Sequence, residues 1–168
     1  MIIDRAVPIP DIRVRPYRLP DDVEALARIY EDSEEYHETI DVEPPPVPHS
    51  METSRRRFAA MRPGGADVLW LCAEVDGTVV GLAEAAMRRD EHNGFAGTYV
   101  NELAVAAGWR GRGIGTRLLD EVERWARDHG AMGLALDTFV DNQGARRLYE
   151  RRGFRVRAVV MGKRLPRG

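Results

Sequence analysis

Residues 109–119 read WRGRGIGTRLL, and the way this stretch is read decides the fold. Gly111, Gly113 and Gly115 alternate with Arg112 and Ile114, and a helical pattern begins at once. Ile114, Leu118, Val122, Trp125 and Ala126 fall on one face at helical spacing, with Leu119 beside them. Glycine is about 1 kcal/mol worse than alanine inside a helix, so three of them at its start need a reason. Upstream, TYVNELAVA (98–106) has the β-rich composition of a strand. The unit is therefore strand, glycine loop, helix. Residues without Cβ let backbone N–H groups come close to a ligand. The first turn of a helix offers N–H donors with no internal partner at the positive end of its dipole. Together these make an anion site suited to phosphate, and Arg110, Arg112 and Arg117 add positive charge. A dinucleotide-type G-x-G-x-x-G is excluded, because Thr116 or Leu118 falls on its last glycine. A P-loop is excluded because no lysine follows the second glycine.

The 168 residues suit a single domain over 1–168, with a core at about 12–165. Lys and Arg total 25 and Asp and Glu 27, a balance that argues against a general nucleic-acid binder. Cys72 is the one cysteine, so no internal disulfide can form, and a reducing, cytoplasmic setting is expected. No apolar run is long enough to span a bilayer, so no membrane role is expected. The four histidines are scattered without ligand spacing, so no metal site is expected.

Along the rest of the chain, IRVR (12–15) alternates as a strand does. Asp21 and Glu24 read as a capping box opening a helix. Prolines 44, 45, 46 and 48 mark a stiff connector, and a second helix runs roughly 50–62. Two β-rich runs flank Asp76-Gly77 within 68–87, a hairpin signal. In the helix after the glycine loop, Asp120–Arg124 and Glu123–Arg127 are spaced as i,i+4 ion pairs, and Gly130 closes it. A strand over 132–140, a short helix over 143–152 closed by Gly153, and a final strand or hairpin over 154–165 complete the order.

The pattern L-A-V-x4-R-G-R-G-I-G-T-x-L-L resembles the acetyl-CoA loop of the GNAT superfamily of N-acetyltransferases, with R/Q-x-x-G-x-G/A falling on Arg110 to Gly115. A second hallmark follows at the family's distance: DNQGARRLYERRGF (141–154) resembles N-x-x-A-x-x-L-Y-x-x-x-G-F, matched at Asn142, Ala145, Leu148, Tyr149, Gly153 and Phe154. The resemblance implies an α/β (α+β) fold, with a mixed, mostly antiparallel sheet of six or seven strands flanked by four helices. That sheet is splayed between its fourth and fifth strands. It implies that the backbone of Gly111, Arg112, Gly113, Ile114, Gly115 and Thr116, with Arg110 beside it, holds the pyrophosphate of acetyl-CoA. It further implies that Leu103, Ala104 and Val105 bond the pantetheine arm as an added strand would, and that Asn142 binds the same arm. Dimers are common among such proteins, and no feature of this sequence demands one.

Amide formation from a thioester needs a neutral nitrogen, stabilisation of an oxyanion and a protonated leaving thiolate. An alkylammonium of pKa ~10.4 is only roughly 0.1% neutral at physiological pH, so a base is required. Glu102, just before the L-x-V of the strand, is the candidate base or substrate-cation contact, with Glu84 and Tyr99 as weaker alternatives. Strand alternation puts Tyr99 on the face opposite Glu102. By resemblance a backbone N–H of Leu103–Val105 meets the oxyanion and Tyr149 is the general acid. Glu31, Asp32, Glu34, Glu35, Glu38, Asp41 and Glu43 form an acidic lip suited to a cationic amine, and loop 88–97 could reach the same pocket. The expectation is an acetyl-CoA-dependent N-acetyltransferase acting on a primary amine by direct attack in a ternary complex. The alternative is a non-catalytic module that senses acyl-CoA.

Overall fold

The computed structural model describes residues 11–40, 50–62, 65–90, 95–161 and 163. The order is β1 (Arg13–Pro16), α1 (Val23–Ile40), α2 (Met51–Ala60), β2 (Val68–Val75), β3 (Thr78–Asp90), β4 (Phe95–Val105), α3 (Ile114–Asp128), β5 (Leu134–Leu136) and α4 (Gln143–Arg151). One sheet carries the strands in chain order, β1-β2-β3-β4-β5. Every pairing is antiparallel except β4 with β5, which is parallel.

The β2–β3 hairpin turns at Asp76-Gly77, both at positive φ (49° and 78°), the conformation a tight two-residue loop demands. β2 is apolar without alternation because the sheet is covered on both faces. Leu71, Ala73 and Val75 pack with Ile114, Leu118 and Val122 of α3. Cys72 packs the other way, with Leu82, Leu26, Ala27 and Phe58. α3 sits close on its face: a Cβ at Gly81 would lie 2.9 Å from Ile114 Cγ2. Ser50 caps α2, its hydroxyl accepting from Thr53 N–H.

Several expectations change. α1 begins at Val23, and the residue that organises its start is Asp22, not an Asp21–Glu24 box. Asp22 accepts from Arg18 N–H (2.6 Å) and forms a two-point pair with the buried Arg15 (2.7 and 3.0 Å), which also binds Glu74. On α3, Asp120 pairs with Arg152 (2.6 Å) instead of Arg124, which turns to Glu121. β5 spans three residues where nine were expected, because Asp137 to Val140 leave the sheet. Among the described residues the sheet has five strands, not six or seven. Residues 154–161 and 163 form no strand, and Val156, Val159, Val160 and Met161 are exposed. β propensity makes no strand without a pairing edge and a face to bury. The proline run, Asp41, Glu43 and residues 91–94 of loop 88–97 lie outside the described residues.

Candidate active site

The site is built where β4 loses one neighbour. β5 pairs with β4 only at Thr98, Tyr99 and Val100. Beyond Val100 the two strands part, and residues 101–105 keep β3 alone. Ala106 N–H donates to Val80 O, so Ala106 and, two residues back, Ala104 aim their backbone groups at β3. Leu103 and Val105 therefore aim theirs into the opening. That leaves an unpaired strand edge, able to hydrogen-bond an extended ligand.

The glycine loop closes one end of this opening. Gly111 and Gly113 hold φ of 75° and 84°, which side chains with Cβ rarely adopt, and nothing lies within 4 Å of a Cβ at either. Gly113 is the N-cap of α3 and supplies no side-chain bond, and the first turn has no acidic residue. The turn's N–H groups at Ile114, Gly115 and Thr116 thus keep an uncapped, positive end. Ile114 is itself buried in the core, which leaves only its main chain for a ligand. Gly115 has a different reason to be glycine. Its Cβ would lie 3.1 Å from Leu148 Cδ2 and 4.0 Å from Val105 Cγ2, so it is the joint where α3, α4 and β4 meet. Arg110 braces the loop: its Nε donates to Val105 O (3.0 Å), its Nη2 donates to Asp32 O (3.4 Å), and its guanidinium lies 5.2 Å from the Tyr36 ring. Arg112 stacks on Trp109 at 5.0 Å. Asn142 is the N-cap of α4, accepting from Ala145 N–H (3.1 Å), so its carbonyl oxygen already has a structural partner.

A bulge positions Glu102. Glu84 pairs with Glu102 and Ala85 with Val100, leaving Asn101 as an extra residue on β4. Tyr99, opposite Ala86, and Glu102, opposite Glu84, consequently point to the same face. The expectation from strict alternation is corrected: one inserted residue reverses the phase of everything before it. Glu102 lies on the face covered by α1 and α2. Burial pushes its carboxyl up to about 7, helped by the negative charges of Glu84 and Glu34 and opposed by Arg57 and His37. Glu84 is 5% exposed, and Arg57 binds both its oxygens (3.0 and 2.6 Å). The two-point pair commits both Glu84 oxygens to Arg57. Tyr99 is engaged elsewhere: its hydroxyl donates to Asp137, and Arg88 lies 3.7 Å from its ring centroid.

Tyr149 comes from α4 and is nearly buried, its ring 5.7 Å from that of Phe154. Burial raises its phenol to about 12, and the nearby charge of Glu102 adds to this. It stays protonated at neutral pH. The His37 ring of α1 lies 5.0 Å from that of Phe139 in the β5–α4 segment and its Nδ1 3.4 Å from Glu34, so that segment packs against α1. The acidic lip is smaller than its composition suggested. Glu31 is buried and accepts from Ser54 Oγ (2.6 Å). Arg57 was missed by the reading of the sequence. Its signal was available: Ser54, Arg57, Phe58 and Met61 share one helical face, so an arginine lies among the apolar contacts of α2.

Residues 26–154 match the Acetyltransferase (GNAT) family, and the chain belongs to it. It is 35% identical over 101 residues to the aminoglycoside N(6')-acetyltransferase type 1 of Stenotrophomonas maltophilia, covering 58% of this chain and 66% of that one. It is 27% identical over 139 residues to the L-amino acid N-acetyltransferase AaaT of Escherichia coli strain K12, covering 80% and 78%. The sequence matches to the curated aminoglycoside N(6')-acetyltransferases of Stenotrophomonas maltophilia, Salmonella typhimurium and Serratia marcescens span 66%, 59% and 57% of those proteins. The glucosamine-6-phosphate N-acetyltransferase of Arabidopsis thaliana has the same fold at a TM-score of 0.66 and 17% identity, over 92% of this chain and 99% of that one. No described helix is long and apolar enough to cross a membrane.

Proposed function

We propose that this protein moves the acetyl group of acetyl-CoA onto a primary amine of a small molecule or peptide, by direct attack with both substrates bound. The reading is carried by one juxtaposition. An unpaired edge of β4 and an uncapped start of α3 meet beside a raised carboxyl, Glu102, and a protonated phenol, Tyr149. Acetyl-CoA supplies the activated thioester. The N–H groups at the start of α3 hold its pyrophosphate, and Leu103 and Val105 hydrogen-bond its arm. Val105 O is shared with Arg110, so Leu103 and the Val105 N–H offer the freer groups. One of those N–H groups meets the oxyanion.

Glu102, poised near neutrality, first attracts the ammonium and then accepts its proton directly or through one water. The lone pair so freed attacks the carbonyl carbon; as the C–S bond breaks, the nitrogen's second proton replaces the one that Tyr149 gives the thiolate. Tyr149 donates to the developing thiolate. Since a thiol of pKa ~8.5 is more acidic than this phenol, Tyr149 acts mainly as a hydrogen-bond donor and delivers its proton only as the C–S bond breaks. The acceptor approaches Glu102 from the side of α1 that carries Glu34 and His37. The surplus of carboxylates there, together with the named acceptors of the relatives, favours a cationic amine. A passive acyl-CoA sensor would need no raised carboxyl beside the thioester, so catalysis is the stronger reading.

The test is a free-thiol assay with acetyl-CoA across amino acids, polyamines, aminoglycosides and amino-terminal peptides, with product mass confirmed. Amine-dependent thiol release is expected. Tight acetyl-CoA binding with no turnover on any amine would instead favour the sensor. Gly113→Val, forced into φ 84°, should lose acetyl-CoA binding by calorimetry; unchanged affinity would remove the glycine loop from the site.

A further inference from the structure

The sheet register places two carboxylates, Glu84 and Glu102, directly opposite each other on one face. Like charges across a strand pair repel, and such a pair tends to share a single proton. Here the two are made unequal from outside the sheet. Arg57 reaches down from α2 and binds both oxygens of Glu84, while Tyr17 hydroxyl holds one of them at 3.3 Å. The guanidinium is itself fixed: it lies 4.7 Å from the Tyr30 ring and 4.6 Å from the Phe58 ring. Glu102 receives no such two-point clamp from Arg57. The groups around it are Glu84 on β3, Tyr30, Glu34 and His37 on α1, Arg57 on α2 and Tyr149 on α4.

We propose that Arg57 is a positioning residue: by locking Glu84 as a fixed counter-charge, it leaves Glu102 as the carboxylate that takes the proton from the acceptor amine. This rests on the acetyltransferase reading for its purpose, though the charge arrangement can be tested without turnover. Arg57 also places one positive charge near Glu102, which favours the ionised base. Without it, Glu102 would face the Glu84 charge with no cation on α2 to offset it.

The experiment is a carbon-13 NMR titration of glutamate carboxyls in the full chain, with the Glu102 resonance assigned by its loss in Glu102→Gln. It is run beside the pH profile of kcat/KM on whichever amine is turned over. Arg57→Met should raise the Glu102 midpoint by about one pH unit and move the acid limb of kcat/KM with it. Rates should recover above the new limb. Arg57→Met with Glu84→Gln should bring both back to or below the wild-type position, since the repelling charge leaves with the clamp. Glu84→Gln alone keeps the cation and should lower the midpoint; it serves if Arg57→Met does not fold. A purely structural role would reduce kcat with every midpoint unmoved. The proposal is overturned by an unshifted Glu102 midpoint in folded Arg57→Met, or in Glu84→Gln. If the midpoints move as stated but no amine is acetylated, the charge arrangement stands and the acetyltransferase reading falls.

Discussion

The two faces of the sheet are cut from the same strands and do opposite things. Toward α3, β2, β3 and β4 present Leu71, Ala73, Ala83, Ala85 and Val100, and α3 answers with Ile114, Leu118 and Val122. That face is dry and apolar. Toward α1 and α2 the same strands present Cys72, Leu82 and Ala104, but also Glu84 and Glu102. There the apolar contacts surround a charged cluster closed by Arg57. The difference teaches where a protein of this shape tolerates chemistry. A face packed by one helix at close range has no room for a hydrated charge. A face covered by two helices can bring a cation down from one of them, as Arg57 of α2 does to both oxygens of the buried Glu84.

If this division is right, disturbing one face should affect turnover and disturbing the other should affect stability. The largest effect is expected from Glu102→Gln, which should lower kcat/KM at pH 7 by about 10²–10⁴-fold with acetyl-CoA affinity preserved. A loss below tenfold would reduce Glu102 to a contact. Tyr149→Phe should follow, lowering kcat by roughly 10²-fold while the cofactor still binds, as steady-state and calorimetric measurements would show. Unchanged turnover would leave Tyr149 as a core aromatic. On the dry face, Leu118→Ala should remove about 2–5 kcal/mol of stability in urea unfolding, since Leu118 is fully buried, with kcat per folded molecule unaltered. A selective loss of kcat there would break the comparison.

The smallest effect concerns pH. Glu102 rises from 4.5 to about 7 on folding, so between those values the native state holds more proton than the unfolded chain. Its contribution to stability is fully present below about pH 4.5 and is lost as pH climbs through 7. Activity runs the other way, because the base must be ionised: kcat/KM should fall tenfold per unit below about pH 7. Glu102→Gln should therefore melt above wild type at pH 8 and show a flatter dependence of Tm on pH. Identical melting curves at pH 5 and 8 for the two proteins would deny Glu102 its raised affinity for a proton.

Local signals carried far. Asp76-Gly77 turns the hairpin it announced, because positive φ at two adjacent residues is a local requirement. The stripe from Ile114 to Ala126 became the helix it described, because an amphipathic face needs only a sheet to cover. The glycine loop and the Tyr149 segment lie where the strand–loop–helix order put them. Other features depended on distant partners. Asn101 carries no mark of being a bulge, so the shared face of Tyr99 and Glu102 could not be read. Glu31 looked like a surface acid until Ser54 met it across 23 positions of chain. Asp120 had a plausible partner one turn away and took Arg152 instead.

The linear chain determined the Asp76-Gly77 hairpin, the α3 stripe, the glycine turn before it and the residue types able to move protons, because each arises from backbone freedom or side-chain chemistry within a few neighbours. Tertiary structure decided which carboxylate is free. Glu84 and Glu102 are chemically identical, and only the register of β3 against β4, the inserted Asn101 and the descent of Arg57 from α2 set them apart. A proton's preference between two like groups depends on the summed field of charges that folding alone brings together.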